Sequence, residues 1–132
     1  MSSPEINPNT YRFSNPQDYF QFLRLRDIYP FNSHAKGILY TDGTIDVVID
    51  TSYYLNGGLE SEWLEAIVVH ELTELASDDP NPHLEAILAE YKYLLDFFGS
   101  QTLETYHRRL QLLLPEDSHN RNPVFSLVSA TP

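Results

Sequence analysis

Three residues able to do chemistry, His70, Glu71 and Glu74, stand inside the apolar run Ala66-Ile67-Val68-Val69-His70-Glu71-Leu72-Thr73-Glu74-Leu75. Each residue of an α-helix advances about 100°. His70 and Glu74 therefore lie one turn apart on the same side, with Glu71 beside them. Val68, Val69, Leu72, Leu75 and Ala76 fill the rest of the circumference, the pattern of a buried helix. An imidazole and two carboxylates placed there are costly unless something pairs with them. A metal ion is one such partner. His70 and Glu74, at i and i+4, can grip a cation from one face, and Glu71 is offset enough to hold a water on that cation.

This is the logic of H-E-x-x-H zinc hydrolases, in which the Glu is the general base; here a carboxylate takes the place of the second His. A catalytic zinc keeps three protein ligands and a water, so a further ligand is needed. The following apolar stretch offers two polar candidates, His83 and Glu90, both near the centre of a face made by Leu84, Ile87, Leu88, Tyr91, Leu94 and Leu95. The linker Asp78-Asp79-Pro80-Asn81-Pro82 is short enough to force the two helices to be neighbours. Antiparallel packing brings Glu90 level with His70, whereas a splayed linker brings His83 over Glu74. Glu90 is then a fourth ligand, a replacement for His83, or a group that orients a ligand.

His70-Glu71-Leu72-Thr73-Glu74, an eight-residue gap, and His83-Leu84-Glu85-Ala86-Ile87-Leu88-Ala89-Glu90 together resemble a small zincin-type metallopeptidase family with the pattern H-E-x-x-E followed by H-x-x-A-x-x-x-E. The resemblance covers about residues 61 to 95. It implies zinc on His70, Glu74 and His83, with Glu71 as base. It also implies a sheet beside the active-site helix whose edge strand can pair with an extended peptide; the stretch Ile45 to Asp50 occupies that place in chain order.

Other readings of the same residues are a buried polar network, in which His70 pairs with Glu90 or Glu74 and no metal enters, and a di-iron bundle using Glu104-x-x-His107 with Glu71 and Glu74. The latter finds no inward carboxylate on the first helix. His34, His107 and His119 read most simply as solvated, and Trp63 as core packing. Tyr91, beside Glu90, is a possible donor to an oxyanion.

The elements that must position these residues follow in order. Residues 1 to 14 read as an arm. Asn15-Pro16 is a helix start, with a cap and a proline at the first helical position, and Tyr29-Pro30 ends that helix. Asp42-Gly43 between Ile38-Leu39-Tyr40 and Ile45 to Asp50 is a hairpin signal. Helices are expected over about 61–77, 82–98 (stopped by Gly99) and 101–114, and Pro115 ends the last. The tail from Glu116 is polar, with Val124 to Val128 as an added edge strand or a loose segment. The expected fold is α+β: one domain over residues 1–132, its core over 15–115, with a small antiparallel sheet packed on a bundle of about four helices, zincin-like.

Composition narrows the function. The chain has no cysteine, so any metal is held by His and carboxylate. Its formal net charge of −11 argues against nucleic acid. No run is long enough to span a membrane and the start lacks a signal-peptide pattern, so a cytoplasmic protein is expected. The function these features favour is zinc-dependent hydrolysis of a peptide or protein substrate; the competing class is a non-catalytic protein-interaction module, with or without structural zinc.

Overall fold

The computed structural model describes residues 8–28 and 33–130. Among them the chain forms three strands and six α-helices: β1 (Asn9–Phe13), α1 (Pro16–Arg24), β2 (Ala35–Leu39), β3 (Ile45–Asp50), α2 (Thr51–Asn56), α3 (Glu65–Ala76), α4 (Pro82–Phe98), α5 (Ser100–Leu113) and α6 (Ser118–Ser129). The class is α+β. Two short 3₁₀ turns, Ser61–Leu64 and Pro115–Asp117, lead into α3 and α6.

The sheet is mixed, with strand order β1-β3-β2, and not wholly antiparallel. The hairpin of β2 and β3 forms as its sequence predicts. Gly43 takes a positive φ of 89°, and Asp42 Oδ1 accepts from the Thr44 backbone N–H at 3.0 Å. The difference lies in the first residues. Asn9 to Phe13, read as part of an arm, pair in parallel with Asp46 to Asp50. Their alternation is weak because most of β1 remains exposed, so backbone pairing, more than side-chain burial, places it. β3 is consequently the central strand, with both edges occupied, and cannot accept a peptide. The edge strand beside the site is β2.

β3 separates two apolar clusters, as period-two alternation requires. Val47 and Ile49 join the main core, with Leu64, Ile67, Ile87, Tyr91, Leu94 and Tyr106. Val48 faces the other way, onto Tyr19 and Leu23 of α1. α1 begins where its signals place it, with the Asn15 side chain accepting from the Asp18 N–H at 2.8 Å, but it ends at Arg24, before the expected stop at Tyr29-Pro30: the chain leaves the helix in a turn where Asp27 takes a positive φ of 57°, and Tyr29 and Pro30 themselves lie outside the described residues.

α3 and α4 pack against one another, joined by the proline-bounded linker. α4 starts at Pro82 with Asn81 as cap and stops at Gly99, whose φ is 94°. β2 lies against α3 at close range. A Cβ on Gly37 would stand 2.8 Å from Leu75 Cδ1 and 3.3 Å from the Glu71 carbonyl oxygen, so a larger residue there would have to displace the Leu75 side chain. The C-terminal segment is neither strand nor loose tail. Residues 118–129 form α6, which packs on α4 and α5 and buries Arg121, Val124 and Val128. Those three recur at helical spacing, and the β-like run that suggested a strand, Val124 to Val128, lies on the helix with its two valines on the buried face. Among the described residues no helix is long and apolar enough to cross a membrane.

Candidate metal centre

α3 and α4 bring His70, Glu74 and His83 together. Glu74 Oε2 lies 3.1 Å from His70 Nε2 and 2.8 Å from His83 Nδ1. One ligand atom from each residue falls within 4.8 Å of the others. Donor atoms around one tetrahedral zinc stand roughly 3–3.5 Å apart at ordinary ligand lengths, so two nitrogens and a carboxylate oxygen in this arrangement suit a single ion.

The other nitrogen of each ring is already taken. His70 Nδ1 donates to Glu90 Oε1 at 2.6 Å, and His83 Nε2 donates to Asp117 Oδ1 at 2.9 Å. A carboxylate on one edge of an imidazole fixes its tautomer and turns the opposite nitrogen's lone pair outward, the arrangement that orients metal-binding histidines. Glu90 therefore sits behind His70, on the side away from Glu74, and cannot share an ion with His70 Nε2. Both orienting carboxylates are braced by one residue. Arg121 Nη1 donates to Glu90 Oε2 at 3.1 Å and Arg121 Nε to Asp117 Oδ2 at 2.9 Å, and the Tyr106 hydroxyl also donates to Glu90.

The electrostatics follow from this pairing. Burial alone favours the neutral His70 ring, but hydrogen bonds to Glu74 and Glu90 outweigh it and raise its pKa to about 10. Asp117 and Glu74 raise His83 to about 9. The two rings in turn lower Glu74 to about 2. Glu90 is held at about 2 in spite of complete burial, by Arg121 and His70. Burial opposes charge on Asp117 as well, but His83, Asn120 and Arg121 hold its carboxyl well below the usual range.

Glu71 behaves differently. Its side chain makes no hydrogen bond among the described residues, and burial raises its pKa to about 7. It lines the same cavity as His70, Glu74 and His83, a space of about 210 Å³ walled also by Ala35 of β2, Tyr54 and Ile67.

Of the residues singled out in the sequence, His70, Glu71, Glu74, His83 and Glu90 thus all meet at one place, with Glu90 set back from the other four. Trp63 packs in the main core. Tyr91 points elsewhere, its hydroxyl donating to His107 Nδ1 at 2.6 Å. His107, read as solvated, is buried, stacks on Phe125 and donates to Asn122. It is bonded to Tyr91 rather than to Glu71 or Glu74, unlike a di-iron ligand. His34, also read as solvated, lines the cavity. Asp117 and Arg121 were missed because the tail carried no clear periodicity; the spacing Asp117-x-x-x-Arg121, followed by Val124 and Val128, was the available signal.

No protein-family model matches the chain, and no curated protein or solved structure matches it either. Function is accordingly argued from the site.

Proposed function

We propose that the chain is a zinc-dependent, zincin-like hydrolase of peptide bonds, with zinc on His70, Glu74 and His83 and with Glu71 as general base. One observation carries the reading: two imidazoles, each turned by its own carboxylate, aim their opposite nitrogens at the same oxygen of Glu74. Plain packing has no need of such double orientation. Zinc in this position would supply Lewis acidity toward a carbonyl oxygen and would lower the pKa of a bound water.

The chain's own residues do the rest. Glu71 has no side-chain hydrogen bond among the described residues, shares the cavity, and has a pKa near the working pH, the properties of a proton acceptor for an attacking water. Glu90 and Asp117 keep the two rings in register, and Arg121 keeps both carboxylates in place. Ala35 puts the edge strand β2 in the cavity wall, where the main chain of an extended peptide substrate has a strand to lie along.

Metal analysis tests the reading. Purified protein should carry about one zinc per chain, and His70→Ala or Glu74→Ala should release it. Glu71→Gln should keep zinc and fold but abolish cleavage of a peptide library. Protein that neither carries nor takes up a transition metal overturns the proposal.

A second reading has its own support. Every ring nitrogen of His70 and His83 has a carboxylate partner without any metal, so the cluster can also serve as the polar core of a non-catalytic module that binds another protein. Metal-loaded protein that cleaves no member of a broad library favours that module.

A further inference from the structure

The cavity holds a third carboxylate–histidine pair. His34 Nδ1 donates to Asp50 Oδ2 at 3.0 Å, and Asp50 is buried at the end of β3 with its other oxygen accepting from Ser52 Oγ at 2.9 Å. The ring lies flat on Tyr53, with centroids 3.6 Å apart and planes 6° from parallel. Tyr53 is itself fixed by its hydroxyl, which donates to the Leu113 carbonyl at 2.7 Å. The imidazole is therefore held by both its face and one edge. Nε2 is the ring atom left without a hydrogen bond among the described residues. His34 lines the cavity shared by Glu71 and the His70–Glu74–His83 cluster, and it also lines an outer groove with Phe20, Tyr53, Leu113 and Glu116. About a quarter of its side chain is exposed.

We propose that His34 is the general acid of this site: a proton-transfer residue that takes protons from solvent through the outer groove and delivers them from Nε2 to the leaving nitrogen of an amide substrate. The inference rests on the hydrolase reading above. Asp50 keeps the Nδ1 proton in place, so Nε2 is the ring nitrogen left to exchange protons. In the reaction, water forms the new C–O bond and gives one proton to Glu71. The C–N bond breaks, its electron pair stays on nitrogen, and that nitrogen takes the Nε2 proton. His34 is reprotonated from bulk water, and Glu71 releases its proton to bulk water. Asp50 acts through His34 and is a positioning residue.

The test compares leaving groups. An amide needs a proton on departing nitrogen, whereas an activated aryl ester does not. With zinc-loaded protein, His34→Ala should lose about 10²–10⁴-fold in kcat on a peptide amide. It should change little in KM and stay within a few-fold on the matching nitrophenyl ester, with zinc content unchanged. A second readout does not depend on turnover. In ¹⁵N-imidazole NMR of the wild-type chain loaded with zinc, acetohydroxamic acid should move the Nε2 resonance of His34 and leave its Nδ1 hydrogen-bonded to Asp50; Asp50→Asn should abolish the fixed tautomer.

Equal loss on amide and ester, no loss on either, or an Nε2 resonance unmoved by saturating acetohydroxamic acid would overturn the assignment of His34 alone. A zinc-loaded wild type that hydrolyses neither amide nor ester overturns the hydrolase reading itself, and the acid role with it.

Discussion

Arg121 and Glu90 form an ion pair at 3.1 Å in which both side chains are almost completely buried, 4% and 1% exposed. The pair joins the last helix to the second of the two helices that build the site. Arg121 bonds Asp117 as well, so one guanidinium stands behind both oriented histidines. Removing one partner of a buried pair leaves the other charge uncompensated. Arg121→Met should therefore destabilise the metal-free chain by about 3–5 kcal/mol, read as a lower urea midpoint, and should weaken zinc binding about 10–100-fold in a chelator competition. Unchanged stability would mean that the pair contributes nothing to holding α6 in place.

His83 and Glu90 separate the ligand from its support. The geometry places His83 beside Glu74 in the candidate ligand group and Glu90 at the far edge of the His70 ring. His83→Ala should abolish stoichiometric zinc, whereas Glu90→Gln should retain it with affinity reduced about 10–100-fold. The reverse order of effects would give a site of one imidazole and two carboxylates.

Proton competition sets the pH dependence of the metal. In the metal-free chain, carboxylate partners raise His70 to about 10 and His83 to about 9 against burial. A group with a raised folded-state pKa stabilises fully below its unfolded value, near 6.5 for imidazole, and loses that contribution as pH rises through the folded value. The metal-free chain should accordingly lose stability between about pH 7 and 10. Zinc needs both rings neutral, so its affinity should climb over the same interval and its binding should release protons. Calorimetry in buffers of different ionisation enthalpy measures that release; a buffer-independent heat at pH 7 would contradict it.

His107 titrates with the opposite sign. Burial lowers its pKa, outweighing the bond to Asn122, which favours the charged ring, and Nδ1 accepting from Tyr91 suits the neutral one. Its contribution is intact above the ordinary imidazole range and declines as pH falls, because the unfolded chain takes the proton first. Between pH 7 and 5, wild type should lose more stability than His107→Gln, measured by urea unfolding at each pH. Parallel curves for the two proteins would refute this.

Much of this molecule is legible in its sequence because the determinants are local. Asn15-Pro16, Asp42-Gly43, Asn81-Pro82 and Gly99 mark element boundaries through backbone geometry and capping, which a few neighbouring residues decide. Polar residues at helical spacing inside the apolar faces of α3 and α4 name His70, Glu74, His83 and Glu90 before any coordinates are known. Tertiary structure decided what depends on distant partners. β1 is a strand only because β3 offers it a parallel edge, and its own alternation is too weak to say so. Residues 118–129 coil into a helix because Arg121, Val124 and Val128 find α4 and α5 to bury against, overriding the β-like pattern of Val124 to Val128. The choice between His83 and Glu90 turned on the angle at which two helices meet. The parts played by Asp117, Arg121 and His34 came from side chains 34, 31 and 16 residues away from the groups they bond; spacing can place a residue on a helix face, but it does not name the distant group that the residue bonds.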